Sequence, residues 1–244
     1  MISILRAGFR GGVFLGVCAV MGADYLLRTR WQKAKPYQAR AQWTQRCAKA
    51  MLWSMGAKVR FEGTFPERGL LTCNHVSYLD IPVLVSIHPM IFVSKSEVRK
   101  WPIIGWLTQC AGTIYIVREE KREVTRVPKQ FGPVLDEGLV VGIFPEGTSS
   151  DGTTVLPFRS ALLEPAAQAG WEVTPGWISY EVEGGDSKVD AAYWGDMTFF
   201  PHLLKLFGKP QVRATVRFGQ KLPPGLDRKA MAKELRDQIL QISS

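Results

Sequence analysis

A histidine followed five residues later by an aspartate is the pair in this chain best suited to acid–base chemistry. His75 and Asp80 lie just after a short apolar run that begins at Leu70. A histidine at a strand end can act as a base, because strand ends project side chains into clefts. A nearby carboxylate can fix the imidazole tautomer and stabilise the imidazolium. Residues five apart do not share a helical face, so His75 is expected in a turn and Asp80 in the first turn of a helix.

Two further charged residues follow predicted strands. Arg118 comes after the apolar segment 113–117, and Glu146 comes after 139–144. The carboxyl ends of strands in an open α/β sheet converge on one crevice, so we expect both side chains near His75. Together they would provide a base, a cation suited to phosphate, and an acid beside a turn rich in backbone N–H donors.

Each of these residues also has a purely structural explanation. The His–Asp spacing alone fits a structural histidine or an acid at a helix start. Arg118 could pair with a neighbouring glutamate at the surface, a contact of little stabilising value. The segment 145–147 could be only a turn. Their joint occurrence in this order, each at a predicted strand end, favours a common site.

Short apolar runs alternate with helical patterns after residue 57, which predicts an α/β fold with a mostly parallel sheet flanked by helices. No strong linker divides this body, so one domain is expected, with a longer loop at 184–201. The predicted strands are 58–62, 70–73, 91–94, 113–117, 139–144, 173–180 and 212–218. The predicted helices are 79–87, 103–110, 120–136, 160–169 and 228–242.

The charge of the chain is concentrated at its N-terminus. The net charge of the 244 residues is +9, and the first 60 residues carry eleven Lys and Arg against one acid. Such a basic segment indicates a polyanionic partner, either nucleic acid or an anionic membrane surface. An apolar insert beside the basic residues favours lipid, so no nucleic-acid partner is expected.

The N-terminal residues 1–56 are predicted to form membrane-docking helices, ahead of a catalytic domain at 57–244. Residues 11–23 carry no charge but are fewer than the ~20 needed to cross a bilayer. The segment 11–27 could span the membrane or lie in its interface, and a signal peptide is an alternative. Residues 37–55 resemble a basic amphipathic helix, which could lie on lipid or pack on the body.

The cysteine and histidine content of this chain argues against a metal centre. The four cysteines lie far apart and form no C-x-x-C motif, which is typical of a reducing compartment rather than a disulfide framework. The three histidines form no H-E-x-x-H motif. No protein metal site is therefore predicted.

Four sequence blocks in order carry a family resemblance. They are Asn74-His75-x4-Asp80, then 112–118, then Phe144-Pro145-Glu146-Gly147-Thr148, then Pro175 after an apolar run. Over about residues 58–180 this arrangement resembles the glycerolipid acyltransferases, and the nearest type is bacterial 1-acylglycerol-3-phosphate acyltransferase. The resemblance implies transfer of a fatty acyl group from acyl-CoA or acyl-ACP to the hydroxyl of a lysophospholipid. The acceptor it favours is 1-acylglycerol-3-phosphate, which would give phosphatidic acid without a further cofactor.

The resemblance also assigns roles to residues. His75 would be the general base and Asp80 its partner, while Lys95 would lie near the thioester carbonyl. The substrate-binding set would comprise Asn74, Lys95, Arg118, Glu146, Gly147, Thr148 and Pro175, with the acceptor phosphate at Arg118 and the loop 146–148. The N-terminal helices would hold the enzyme on membrane lipids at the cytoplasmic face of the inner membrane.

One position departs from the family pattern. Ser149 stands where many members carry an arginine, which removes a charge from the expected phosphate site. Arg159 could replace that charge, or the acceptor could be another lysolipid such as lyso-ornithine lipid. Two other classes remain open: a lipid hydrolase or transacylase that uses the same His–Asp pair, and a membrane-binding protein without catalysis.

Overall fold

Seven strands build the central sheet in the part of the chain that the structure describes. A computed structural model describes residues 2–101, 103–116, 123–223 and 225–243. In these ranges the strands are β1 (Ala57–Glu62), β2 (Gly69–Cys73), β3 (Met90–Lys95), β4 (Ile114–Ile116), β5 (Val140–Ile143), β6 (Val173–Val182) and β7 (Val212–Phe218). They lie in the order β1-β7-β6-β2-β5-β3-β4.

The sheet is mostly parallel, as predicted. The five strands β6, β2, β5, β3 and β4 run in one direction, whereas β7 is antiparallel to β6 and parallel to β1. All residues of β2 and β5 are buried, because helices cover both faces of these central strands. Edge strand β1 is mostly exposed. The carboxyl ends of β2, β3 and β5 therefore lie side by side.

Helices occupy both faces of the sheet. They are α1 (Ile2–Leu27), α2 (Pro36–Met55), α3 (Asp80–Ile87), α4 (Ile104–Cys110), α5 (Glu123–Asp136), α6 (Glu164–Ala169), α7 (Ser187–Asp190), α8 (Phe199–Gly208) and α9 (Arg228–Ile242). Short 3₁₀ helices span Thr29–Trp31, Ser96–Lys100 and Ser160–Leu163. One core cluster packs α1, α2, α3 and α8 on one face of the sheet, and the other packs α5, α6 and α9 on the opposite face.

The prediction of a loop over 184–201 was wrong in part. The segment contains α7 and the first turn of α8, and Asp186 caps α7 by accepting the backbone N–H of Lys188. Pro201 falls in the first turn of α8, where a missing backbone N–H costs little. The buried side chains of α8 lie further on, at Leu203, Leu206 and Phe207, beyond the end of the predicted loop.

Two arginines of α1 fasten this helix to the body. The Arg6 guanidinium donates to the carbonyl of Gly208 at 3.0 Å. The Arg10 guanidinium donates to the carbonyls of Lys209 at 2.6 Å and Pro210 at 3.0 Å. These carbonyls lie at the C-terminal end of α8, where a helix favours cations. Some of the N-terminal basic residues that were expected to contact a polyanion, Arg6 and Arg10, are therefore hydrogen-bonded within the protein.

Within the described residues, one helical segment is long and apolar enough to cross a bilayer. It spans Ile2–Trp31, and 11% of its most apolar stretch is buried. A signal sequence at this position would pass the same test of length and composition. One face of α1 packs on α2 and α8, and the other face exposes apolar side chains.

Helix α2 packs on the body, which was one of the two predicted alternatives. Trp43 and Cys47 are buried, whereas Trp53 is 72% exposed. Arg40, which disrupts the amphipathic pattern, donates to the carbonyl of Gln109 at the end of α4, at 3.2 Å. Helix α2 ends at Met55, and β1 begins at Ala57.

Candidate active site

The turn after β2 is fixed by the side chain of Asn74. This side chain is buried; its amide nitrogen donates to the carbonyl of Ile178 at 3.0 Å, and its oxygen accepts the N–H of Ile178 at 2.8 Å. The regular pairing of β2 with β6 ends at Cys73 and Gly176, so these bonds prolong it by one step. Asn74 thus holds the backbone just ahead of His75.

His75 and Asp80 form a direct hydrogen bond, with 2.7 Å between Nδ1 and Oδ2. Asp80 is the first residue of α3 and is fully buried, and its Oδ2 also accepts the N–H groups of Val76 at 2.7 Å and Ser77 at 3.0 Å. In this geometry a neutral His75 carries its proton on Nδ1, so Nε2 has a free lone pair. The His75 side chain is 23% exposed and lines a cavity.

Two aromatic rings support the imidazole of His75. The ring of Phe144 lies parallel to it, with 4.1 Å between centroids and an interplanar angle of 11°. Phe92 stacks in turn on Phe144, with centroids 5.5 Å apart. This stack restricts rotation of the imidazole and covers one of its faces with apolar surface.

Glu146 lies behind His75 and is only 3% exposed. Its Oε1 accepts the backbone N–H of His75 at 2.8 Å, and its Oε2 accepts the N–H of Leu156 at 3.1 Å. Burial raises the pKa of Glu146 to about 7, against the opposing effect of these two hydrogen bonds. Both oxygens are occupied within the protein, so the geometry of Glu146 fits support of the His75 backbone rather than the predicted contact with substrate.

The residues after Glu146 form the loop beside the cavity. Gly147 has φ 76°, and a side chain at this position would overlap the guanidinium of Arg159. Thr148 is exposed and lines the cavity together with Gly147. The hydroxyl of Ser149 donates to the carbonyl of Tyr193. Arg159 therefore lies next to this loop as an exposed cation, as the departure at Ser149 suggested.

The other predicted site residues differ in whether they line the cavity. Lys95 ends β3, is exposed and lines the cavity. Pro175 is buried within β6, where its carbonyl accepts the N–H of Gly219 at 2.8 Å, and it lies away from the cavity. Arg118 lies outside the described residues. His75, Lys95 and the loop residues face the cavity, whereas the buried Asn74, Asp80, Glu146 and Pro175 lie outside its lining.

The cavity has a volume of about 450 Å³ and a mostly apolar lining. This size lies within the range of pockets that bind small molecules. It extends from His75 between the sheet and the helices α1, α2, α3, α4 and α8. Representative apolar lining residues are Phe14, Cys47, Met51, Leu79, Leu107 and Leu203. Its shape and lining suit a hydrocarbon chain whose polar end lies at His75.

Several residues of this site escaped the sequence prediction. Tyr180 of β6 donates its hydroxyl to Asp80 Oδ1 at 2.6 Å, although the two residues are 100 positions apart. No local motif signals such a contact. The wall contributed by α2 carried a signal, because Trp43, Cys47 and Met51 follow one helical face, but the sequence did not indicate what that face covers.

Among the residues that the structure describes, no group of three or more His, Cys, Asp and Glu side chains could hold a metal ion. A neutral imidazole, oriented by a buried carboxylate, presents Nε2 at the head of an apolar cavity with a lysine on its wall. This arrangement can deprotonate a hydroxyl group or water beside a bound hydrocarbon chain.

Comparisons with known proteins identify the family of this chain. A family model described as Acyltransferase matches residues 57–179. A lyso-ornithine lipid O-acyltransferase of Pseudomonas aeruginosa is 31% identical over 240 residues, covering 96% of this chain and 92% of the relative. The Rhizobium meliloti protein of the same name is 33% identical over 255 residues, covering 99% and 85%. A 1-acyl-sn-glycerol-3-phosphate acyltransferase of Neisseria gonorrhoeae is 34% identical over 128 residues, covering 52% of this chain and 50% of the relative.

A solved structure has the same fold. It is the crystal structure of the 1-acyl-sn-glycerophosphate acyltransferase PlsC from Thermotoga maritima, with a TM-score of 0.69 over 99% of this chain and 95% of the other. At 17% identity this likeness concerns the fold alone. The family model and the full-length relatives go further, and they show that this chain belongs to the acyltransferase family.

Proposed function

We propose that this protein transfers a fatty acyl group from a thioester donor to the hydroxyl group of a lysolipid, with His75 as the general base. The observation that carries the proposal is the 2.7 Å bond between His75 Nδ1 and buried Asp80, which leaves Nε2 free at an apolar cavity. A lipid alcohol is nearly un-ionised at neutral pH, so it needs a base to attack a thioester. Base catalysis of this kind contributes about 10²–10⁴-fold to a rate.

The reaction proceeds without a covalent enzyme intermediate. Nε2 of His75 takes the proton of the acceptor hydroxyl as its oxygen forms a bond to the thioester carbonyl carbon. The tetrahedral oxyanion then collapses, the carbon–sulfur bond breaks, and the leaving thiolate takes the proton back from Nε2. The products are an ester and a free thiol, and His75 returns to its starting state.

Lys95 is our candidate for stabilising the oxyanion. It lies at the end of β3 and lines the same cavity as His75. A cation near a developing oxyanion acts strongly in a site that excludes water. The N–H of Gly147 is less suitable in this conformation, because it donates to the carbonyl of Phe144 at 3.1 Å.

The donor is an acyl thioester of coenzyme A or acyl carrier protein. Its carbonyl carbon must lie within reach of the acceptor oxygen that His75 Nε2 deprotonates, so its acyl chain would enter the cavity towards Cys47 and Met51 of α2. The largely apolar lining offers this chain a site removed from water.

We propose lyso-ornithine lipid as the acceptor, in place of the 1-acylglycerol-3-phosphate favoured by the sequence resemblance. Two relatives named for lyso-ornithine lipid align with 96% and 99% of the chain. Two others of that name align with 75% and 57%, and the Neisseria relative aligns with 52%. An ornithine head group carries a carboxylate and an ammonium but no phosphate. It therefore requires fewer cations, which is consistent with Ser149 in the loop and Arg159 as the neighbouring cation.

A phosphate acceptor is the second candidate. It is favoured by Arg159 beside Gly147, because an arginine can bind a phosphate with two hydrogen bonds. Arg118, outside the described residues, stays a predicted phosphate ligand. The two acceptors differ in the charge that the head group presents to the same loop, so a direct comparison of substrates separates them.

We further propose that α1 lies in the membrane interface, with the enzyme on the cytoplasmic face. One face of α1 packs on α2 and α8, and the exposed face carries large apolar side chains such as Phe9, Leu15 and Val20. Trp101 and Phe200 near the cavity are also exposed, which would put its entrance at the bilayer. Each basic residue near an anionic surface contributes about 1 kcal/mol to binding.

The test is a panel of lysolipids assayed with both thioester donors. Purified protein in vesicles is given lyso-ornithine lipid or 1-acylglycerol-3-phosphate, with acyl-CoA or acyl-ACP, and products are read by mass spectrometry and thiol release. We expect diacylated ornithine lipid from the wild type and none from His75→Ala, whose circular dichroism should match the wild type. Product formed only from 1-acylglycerol-3-phosphate would establish the second acceptor. Acyl transfer without a thioester, release of free fatty acid alone, or turnover by His75→Ala would each refute the mechanism.

A further inference from the structure

The two oxygens of the Asp80 carboxylate have different partners. Oδ2 accepts three hydrogen bonds, from His75 Nδ1 and from the backbone N–H groups of Val76 and Ser77. Oδ1 accepts the hydroxyl of Tyr180 at 2.6 Å, a length typical of a bond to a charged acceptor. Among the described residues, Tyr180 is the donor that the structure gives to Oδ1. Both oxygens of the Asp80 carboxylate are thereby hydrogen-bonded.

Tyr180 reaches Asp80 from a different part of the sheet. It lies in β6, pairs with Ala214 of β7, and is 7% exposed. Burial, and then the adjacent Asp80 charge, raises the pKa of the Tyr180 phenol well above its ordinary value, so the hydroxyl stays protonated and donates. The Tyr180 hydroxyl therefore remains a donor to Asp80 Oδ1 at neutral pH.

We infer that Tyr180 is a positioning residue that acts on His75 through Asp80. Its hydroxyl fixes the plane of the carboxylate so that Oδ2 points at Nδ1. It also withdraws part of the negative charge that would otherwise stabilise the imidazolium. This inference rests on the proposed function, because it assumes that His75 takes a proton during catalysis.

The inference predicts a direction for the pH dependence. The other titratable groups at the site are Glu146, which accepts the His75 backbone N–H and has a pKa of about 7, Lys95 and Tyr78 on the cavity wall, and Cys73 in β2. None of them is hydrogen-bonded to Tyr180 within the described residues, so a change on removing its hydroxyl is assigned to the His75–Asp80 pair. Without the hydroxyl, the carboxylate holds more negative charge and stabilises the protonated imidazole more strongly. The active, neutral form of His75 would then require a higher pH. A tyrosine that serves only to fill the core would not produce this shift, because phenylalanine keeps the ring.

Tyr180→Phe is the test variant, and Tyr115→Phe is its control. The control also removes a hydrogen-bonded hydroxyl, which contacts Thr108 rather than the His–Asp pair. We expect Tyr180→Phe to lower kcat about tenfold with little change in KM, and to move the acidic limb of the kcat/KM profile upward by about half a pH unit. The control should keep the wild-type limb. An unmoved limb in Tyr180→Phe would overturn the inference.

Combination with Asp80→Asn shows whether the effect passes through Asp80. If it does, adding Tyr180→Phe to Asp80→Asn changes the remaining activity less than twofold, because the two groups act as one unit. Independent, multiplicative losses would contradict the inference.

A measurement without turnover separates this inference from the proposed function. The chain has three histidines, so ¹⁵N-histidine NMR gives few signals, and His75→Ala assigns the signal of interest. The His75 signal of Tyr180→Phe should change protonation at higher pH than that of the wild type, even if Tyr180→Phe is too unstable for long assays. A wild type without acyl transfer would refute the proposed function, whereas an unchanged NMR titration would refute the role of Tyr180 alone.

Discussion

The surroundings of His75 and the α2 wall of the cavity are held together by different kinds of contact. Around His75, buried polar groups are paired with one another at distances of 2.6–3.1 Å, through Asp80, Glu146 and Tyr180. Along α2, the cavity is bounded mainly by apolar side chains. The first region owes its geometry to hydrogen bonds with fixed directions, and the second to contact area without direction.

This difference indicates how each region should respond to substitution. Loss of one buried hydrogen-bond partner leaves another polar group unpaired, which is costly and affects the geometry of the reaction. A change in an apolar wall alters the space for a chain and should leave the reacting atoms in position. The rate of the reaction should therefore depend on the surroundings of His75, and selectivity for acyl-chain length should depend on the α2 wall of the cavity.

The largest effect among the variants that test this contrast is expected from Glu146→Gln. The amide nitrogen would face a backbone N–H of either His75 or Leu156, and this conflict should displace the His75 turn. Misplacement of a catalytic group by about 1 Å can cost 10²-fold, so we expect a loss of activity of roughly that size. Steady-state kinetics with both substrates checks this, and a loss below threefold would contradict it.

Glu146→Gln should also alter the pH dependence of stability. The raised pKa, about 7, means that the folded protein binds this proton more tightly than the unfolded chain does. The wild-type free energy of unfolding should therefore fall as pH rises from 4.5 to about 7, by roughly 3 kcal/mol in total, and then level off. Denaturant titrations between pH 5 and 8 should show this decline in the wild type and not in Glu146→Gln.

A smaller effect, on selectivity, is expected at the cavity wall. Cys47 is buried in α2 and lines the cavity, so Cys47→Leu should shorten the space available to the acyl chain. One methylene in an apolar pocket is worth about 1–3 kcal/mol, so the kcat/KM ratio of long to short donors should fall about tenfold. Cys47→Ala is the matched variant and should raise that ratio. Equal changes for all donors would show that this wall does not contact the chain.

The smallest effect, on vesicle binding, is expected from substitutions of exposed phenylalanines. Phe200 of α8 is 53% exposed near the cavity, and Phe61 of edge strand β1 is 54% exposed. If the face around α1 and α8 contacts lipid, Phe200→Ser should weaken vesicle binding about fivefold, whereas Phe61→Ser should have no effect. Vesicle sedimentation measures both, and equal losses would argue against a defined face.

The sequence was informative where chemistry and periodicity are local. All seven strands were predicted, because central strands form continuous apolar runs between turns. His75 and Asp80 were predicted as a pair because other charged residues follow later strands in order, and a pair at this spacing needs a turn followed by a helix start. The structure has Asp80 as the first residue of α3, bonded to His75.

Contacts between distant parts of the chain were beyond such reasoning. Tyr180 meets Asp80 only because β6 lies next to β2, and the order of strands cannot be read from the periodicity of either. Glu146 follows β5, as predicted, and its carboxylate accepts two backbone N–H groups. Its predicted role in substrate binding stays a prediction, since residue type does not tell whether a carboxylate faces a cavity or the backbone behind it. Helix α8 was not predicted, because Gly184, Gly185 and the mixed polarity that follows them favoured a loop up to residue 201.

The packing of α2 has a practical consequence for anyone who wishes to prepare a detergent-free fragment. Truncation before β1 would remove α1 and α2 together. It would also open the cavity beside His75 and leave the side chains of α3 and α4 that line it facing water. Such a fragment would retain His75 and Asp80 without the α2 wall of the cavity, so under the proposed function it would lose lipid attachment and turnover together.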